Sequence, residues 1–408
     1  MKKSLLKNYA KLIVRTGANV QKGDYVVIKT EPEVEDFAVM VAEECYKAGA
    51  AAVVYNWESM KARRLTFKCM SKKVLQEVTP MAIALQQYQT DKTAVTIWLD
   101  ADDPDGVKGC SAEKISLAKT VAYKACESLI KARANKYQWV IAGVPSVKWA
   151  KKVFPNLSKK KAVEALWEAI LKTSRADDGN GIENWERHEK TLKEKCNYLN
   201  SLNLRSLHYQ ASNGTDLTVG LIPGVIFLGG GEKTLRGVFF QPNIPSEECF
   251  TSPMRGQAEG VVHASKPLVY NGQVIENFWF KFHEGKVVEA HAEKGEELLK
   301  SILTLDEGAS YLGECALVPF ESPINQIGIL FFNTLYDENA CCHLAIGKGF
   351  TNLYPEFEKY TEDQIHSFGI NESLSHVDFM IGTRDLNITG IDKDGKEIPI
   401  FRNGTWAF

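Results

Sequence analysis

Near the start of the chain Leu5, Tyr9, Leu12, Ile13 and Thr16 recur at helical spacing, and Gly17 follows as a stop. The short run Asp24-Tyr25-Val26-Val27-Ile28 is rich in β-branched residues and predicts a strand. Residues 34–48 return to the helical period and end at Gly49. Three further apolar runs, 51–55, 94–99 and 139–142, have the length and composition of buried strands, and a long helical pattern spans 111–134. Strands separated by helices predict βαβ units and a mostly parallel sheet. No GxGxxG or GxxxxGK[ST] loop accompanies them, so no nucleotide is assigned to this half.

The pattern changes at Ala176-Asp177-Asp178-Gly179-Asn180-Gly181, a cluster of turn formers. A polar helix over about 182–199 follows, and then strand patterns at 206–211, 216–221, 237–240 and 260–263. Asn271-Gly272 and Asp394-Gly395 carry the signature of hairpin turns, and Gly229-Gly230-Gly231 that of a close backbone passage. The expected architecture is an α/β N-terminal domain over 1–181 and an α+β, strand-rich C-terminal domain over 182–408. A chain of 408 residues exceeds the ~250–300 at which single cores stop growing, which agrees with two domains.

Composition narrows the function classes. The formal net charge is -2, with no basic block, so nucleic acid is not an expected partner. No apolar stretch approaches the ~20 residues of a membrane span. The opening Met1-Lys2-Lys3-Ser4-Leu5-Leu6 begins like a signal peptide, but Lys7 breaks the run. Nine scattered cysteines form no CxxC pair, and reduced thiols in a cytoplasm are the expected state.

All eight histidines lie beyond residue 181, and four segments there combine acids or imidazoles with turn chemistry. In Pro245-Ser246-Glu247-Glu248-Cys249, adjacent carboxylates in an extended segment point to opposite sides, so one faces a site and the other solvent; by itself the run reads as a surface loop. In Gly313-Glu314-Cys315-Ala316-Leu317, a lone Glu enters an apolar strand, and a buried carboxylate must be paired or bound to metal. In Asp337-Glu338-Asn339-Ala340-Cys341-Cys342-His343, the spacing is not that of HExxH; a loop followed by a strand lets Glu338 and His343 converge, and the bland reading is a core histidine. In His376-Val377-Asp378-Phe379, a strand puts His376 and Asp378 on one face. Two carboxylates, two histidines and Asp378 form a donor set that zinc, cobalt or manganese accepts, with magnesium a further choice. A carboxylate bridging two such ions is the arrangement of two-metal hydrolases, in which a further carboxylate shuttles the proton.

At these four segments the sequence resembles the aminopeptidase T (aminopeptidase S, PepS) family of metallopeptidases. The resemblance runs from 9–14 and 20–23 through Gly143-Val144-Pro145-Ser146 and 215–221 to Ile400-Phe401-Arg402-Asn403-Gly404-Thr405-Trp406. It implies a pair of divalent ions and release of N-terminal amino acids from peptides. It also implies that Glu248, Glu314, His343, His376 and Asp378 are metal ligands, with Glu314 bridging, and that Glu338 is the general base. A homodimer, with the N-terminal domain helping to enclose the site, is implied as well. Some members carry a tyrosine seven residues after the histidine of the His-Leu-Ala segment; here that position is Phe350, and Tyr354 is the nearby phenol. A two-metal hydrolase of another amide or ester, or a metal-binding dimer without turnover, stands as the alternative.

Other residues weigh less. Cys249, Cys341 and Cys342 are soft-metal donors in principle and small buried hydrophobes by default. Asp392-Lys393-Asp394-Gly395 lacks the closing acid of a calcium loop and reads as a hairpin turn. Arg255 suits either a substrate carboxylate or a surface ion pair, and the remaining histidines have no spaced partners.

Overall fold

The computed structural model describes residues 1–270 and 272–408, so Asn271 of the expected Asn271-Gly272 turn lies outside the described residues. The chain forms two compact units. The first comprises 1–188 with 231–245, and the second 189–230 with 246–408.

The first unit is built on five parallel strands in the spatial order Ala52–Trp57, Tyr25–Thr30, Val95–Asp100, Trp139–Gly143, Asn243–Ile244. The first four are the expected strands. Helices Glu35–Ala48 and Ala112–Arg133 supply crossovers; the former ends at Gly49 with φ 97°, which suits glycine, and the latter starts at a Ser111 cap accepting from Lys114 N–H. Gly17 has a role beyond ending a helix. The first helix, Lys3–Leu12, runs on into a π-turn over Ile13–Gly17, and a Cβ at Gly17 would come within 2.8 Å of Val140 Cγ2 on the neighbouring strand. The fifth strand carries no hydrophobic pattern; it arrives from the segment 231–245, which returns to this sheet from beyond the expected boundary.

The expected break at 181 also shifts. The units part between His188 and Glu189, inside the helix Gly181–Ser201. The Asp- and Gly-rich run is instead a helix–helix turn within the first unit: Asn184 Nδ2 donates to Asp178 Oδ1 at 3.0 Å, and Trp185 Nε1 donates to the Ser174 carbonyl at 2.7 Å.

The second unit holds two antiparallel sheets. The larger runs Leu268–Tyr270, Gln273–His283, Pro253–His263, Asp216–Leu221, Leu204–Gln210, Asn387–Asp392, Glu397–Arg402, Thr405–Trp406, with Lys286–Lys294 also paired to Gln273–His283. Asp394-Gly395 makes the expected hairpin turn, with Gly395 at φ 79° and Asp392 Oδ1 accepting from Asp394 N–H at 2.9 Å. The smaller sheet runs Cys249–Thr251, Leu312–Leu317, His343–Gly347, His376–Met380. Between them lies one core that includes Leu207, Val219, Phe278, Phe280, Leu344 and Phe379. Among the described residues no helix is long and apolar enough to cross a membrane.

Candidate metal centre

The ladder of the smaller sheet selects which side chains meet. Glu314 pairs with Ala345 and Ala345 with Asp378, so these three project to one face. His343 is two residues from Ala345, and His376 two residues from Asp378; both therefore share that face. The intervening Cys315, Leu344, Val377 and Phe379 turn the other way into the core. The small Ala345 methyl leaves room between the acids. A bulge between Leu312 and Glu314 sets this register, and Gly313 permits it: a Cβ there would lie 2.3 Å from the Lys348 carbonyl oxygen.

Glu248 enters from beside the sheet. Cys249 belongs to the core, so its neighbour Glu248 points to the polar side, where Glu248 Oε2 stands 3.2 Å from His343 Nε2. The expected surface loop is corrected here. Glu247 and Glu248 are 5% and 7% exposed, and Glu247 does not face solvent. The segment is a tight link between strands Asn243–Ile244 and Cys249–Thr251, and the Glu247 N–H is held by Asn339 Oδ1 at 2.8 Å.

On the other side, His376 Nε2 lies 3.0 Å from Glu314 Oε2 and 3.1 Å from Asp378 Oδ1. Two groups of donors result, Glu248–Glu314–His343 and Glu314–His376–Asp378, each with its ligand atoms within 4.8 Å of one another. Glu314 belongs to both. The expected ligands are thus brought together, and among the described residues no cysteine joins either group. Cys342 Sγ instead contacts the Val318 amide and carbonyl, at 3.4 and 3.3 Å. Glu338 ends the short helix Thr334–Glu338, rather than lying in a loop, and sits outside both donor groups.

The electrostatics suit a cation. Burial first, then the Glu248 and Asp378 charges, push Glu314 up to about 7. Burial and the charges of Asp378, Glu248 and Glu314 push Glu338 well above the carboxylate range, and the helix it ends packs against the strand His376–Met380. Burial works against a charged His343, but the hydrogen bond and charge of Glu248 outweigh it and raise the imidazole to about 9. His376 is raised for the same reason by Asp378 and Glu314. Burial opposes ionisation of Asp378 too, and the adjacent His376 overcomes it, leaving Asp378 below its ordinary value. Protons here do what a bound cation would do, which is to offset a concentration of acid in a dry place. The imidazoles are also oriented as metal ligands are: His376 Nδ1–H donates to the Lys348 carbonyl at 2.7 Å and His343 Nδ1 faces the Cys341 carbonyl at 3.4 Å, leaving both Nε2 atoms toward the acids.

Neighbouring residues sort themselves. Phe350 packs at the site, its ring 5.1 Å from that of His376 and 5.2 Å from Phe250. Tyr354 packs half-buried against a separate apolar cluster, stacked on Phe368 at 4.8 Å. Arg255 makes a surface ion pair with Glu307 at 2.5 Å. His208, His283 and His291 pair with Asp216, Glu259 and Glu296. Sequence reasoning passed over Asn339 and Asn371. Both are fully buried, and Asn371 Nδ2 bonds the Gly308 and Gly347 carbonyls, at 2.8 and 2.6 Å. A buried amide between two acid-bearing segments is the signal that marks Asn339, and no comparable spacing marks Asn371.

Known proteins are similar to this chain over nearly its whole length. Aminopeptidase AmpS of Bacillus subtilis (strain 168) is 40% identical over 404 residues, covering 99% of this chain and 98% of its own. Aminopeptidase PepS of Streptococcus thermophilus is 39% identical over 407 residues, covering 99% and 98%. The solved structure of wild-type AmpT from Thermus thermophilus superposes with a TM-score of 0.90 at 35% identity and full coverage of both chains. The family model for the thermophilic metalloproteases (M29) matches residues 2–406, and with a donor set fit for metal at its centre the chain belongs to that family.

Proposed function

We infer that this chain is a metal-dependent aminopeptidase that releases N-terminal amino acids from peptides with a pair of divalent ions. The observation that carries the ion pair is the sharing of Glu314 by two donor groups. Glu248 and His343 would complete one position, His376 and Asp378 the other. Bound there, such ions supply Lewis acidity, acidifying a water and polarising the scissile carbonyl. The chain's own residues do the rest. Glu338 accepts the proton of the attacking water and returns it to the departing amine as the C–N bond breaks. The site carboxylates also offer the free α-amine of the substrate an anchor. The ions would be zinc, cobalt, manganese or magnesium, since the mixed imidazole–carboxylate set accepts each. Nine free thiols agree with a cytoplasmic location, and we propose a homodimer, to be checked by sedimentation.

The test is hydrolysis of aminoacyl anilides beside their N-acetylated twins, by protein stripped with chelator and resupplied with each metal. Cleavage confined to the free-amine series, lost on stripping and restored by metal, is expected. Equal cleavage of both series would point to a hydrolase of another specificity.

Phe350 gives a second measurement. The ring stands against His376 but offers no hydroxyl to a tetrahedral oxyanion. Since one such donor is worth ~10²–10³ in kcat where present, Phe350→Tyr should raise kcat by about tenfold or more with KM little changed. Steady-state kinetics on the best anilide decide it, and an unchanged kcat would mean that the phenol is not used.

A further inference from the structure

We propose that Asn339 is a positioning residue that locks the Glu248 metal-ligand segment to the helix end bearing the proton carrier Glu338. The proposal rests on the aminopeptidase reading above and adds a residue that touches neither substrate nor metal. Asn339 closes the helix Thr334–Glu338 and is fully buried. Its carboxamide has one acceptor and two donor hydrogens, and all are engaged. Oδ1 accepts the Glu247 N–H at 2.8 Å. Nδ2 donates to the Leu335 carbonyl at 3.0 Å and to Glu338 Oε1 at 3.3 Å. The residue's own carbonyl accepts from Ser322 Oγ at 2.7 Å, which fixes the backbone under the amide.

Positions 247 and 339 are far apart in sequence, so this one planar group sets the spacing between two arms of the site. Through the Glu247 N–H it holds the segment that presents Glu248 to His343. Through Nδ2 it holds Glu338 Oε1, at the end of a helix that packs against the strand bearing His376 and Asp378. No other side chain of this size can accept from one arm and donate to the other. Aspartate keeps the acceptor for Glu247 but sets a second carboxylate against Glu338. Alanine releases both arms.

The two substitutions therefore separate in a way that a merely structural residue would not produce. Supporting hydrogen bonds of this kind are worth about 10–100-fold in metal affinity or activity. Asn339→Asp should lower kcat about 100-fold, with KM within about threefold, while retaining zinc against a competing chelator as well as the parent does. Asn339→Ala should lose on both readouts, its zinc retention falling about 10-fold or more. Should the alanine variant not fold, as judged by circular dichroism, the isosteric aspartate variant decides alone. Parental kcat in Asn339→Asp, or equal loss of zinc retention in both variants, would overturn the proposal. If the parent protein itself turns over no anilide with any metal, the aminopeptidase reading has failed, and the chelator competition still decides whether Asn339 holds the Glu248 arm.

Discussion

Glu314→Gln is expected to lower kcat/KM at least ~10³-fold, a loss of roughly 4 kcal/mol of transition-state stabilisation. No other single change touches both donor groups, since Glu314 is the member they share. Glutamine keeps the shape of the side chain in a strand whose six residues are all buried, so the fold has no reason to change. What disappears is the charge that would offset two cations at once. The metal content of the purified variant, measured by elemental analysis, should fall with the activity. A second consequence runs the other way. Glu314 is held up at about 7 by burial and neighbouring acids, so above neutral pH its ionised form burdens the metal-free fold. Stripped Glu314→Gln should therefore melt higher than the stripped parent at pH 8. A variant with near-parental activity would remove Glu314 from the centre of the site, whatever its stability.

Much of this arrangement was readable along the chain, for local reasons. The His376-Val377-Asp378 alternation works because a strand's period brings i and i+2 together, a rule internal to five residues. Glu314 stood out because a lone acid inside an apolar strand demands a partner. What could not be read is pairing at a distance. That Ala345 stands between Glu314 and Asp378 follows from register, and the register hangs on a bulge at Gly313. The Glu247-Glu248 run looks like a surface loop because prolines and acids usually are one, yet both acids are buried and the Glu247 N–H is held by Asn339, ninety-two residues away. The strand Asn243–Ile244 is too short for any period to show. In the same way the turn at 176–181 has the composition of a linker, but Trp185 folding back on Ser174 makes it part of one body. Local chemistry names the groups, and long-range pairing decides which of them meet.

Metal-free protein should lose stability as pH rises from about 5 to 9, and metal should reverse the trend. The sign follows from where each pKa moves. Glu314 rises from its ordinary 4.5 to about 7 in the fold, so its contribution is fully present below 4.5 and lost as pH rises through about 7. His343 rises from 6.5 to about 9, so its contribution is present below 6.5 and lost as pH climbs through about 9. Glu338 and His376 shift upward and act in the same direction. Asp378 alone opposes them: its pKa is lowered, so its contribution is present above 3.8 and lost as pH falls through its depressed value. The windows of Glu314 and His343 together span the whole range. At about 1.36 kcal/mol for each tenfold change in proton affinity, the effect is on the order of a few kcal/mol. Divalent ions compete with these same protons for the same oxygens and ring nitrogens, so their binding strengthens as pH rises and the sites empty of protons. Calorimetric melting of stripped and metal-loaded protein at pH 5, 7 and 9 tests this. The two curves should lie closest at pH 5 and diverge steadily above it. Parallel curves would show that the protons and the metal occupy different places, and the donor groups around Glu314 would then no longer be the metal centre.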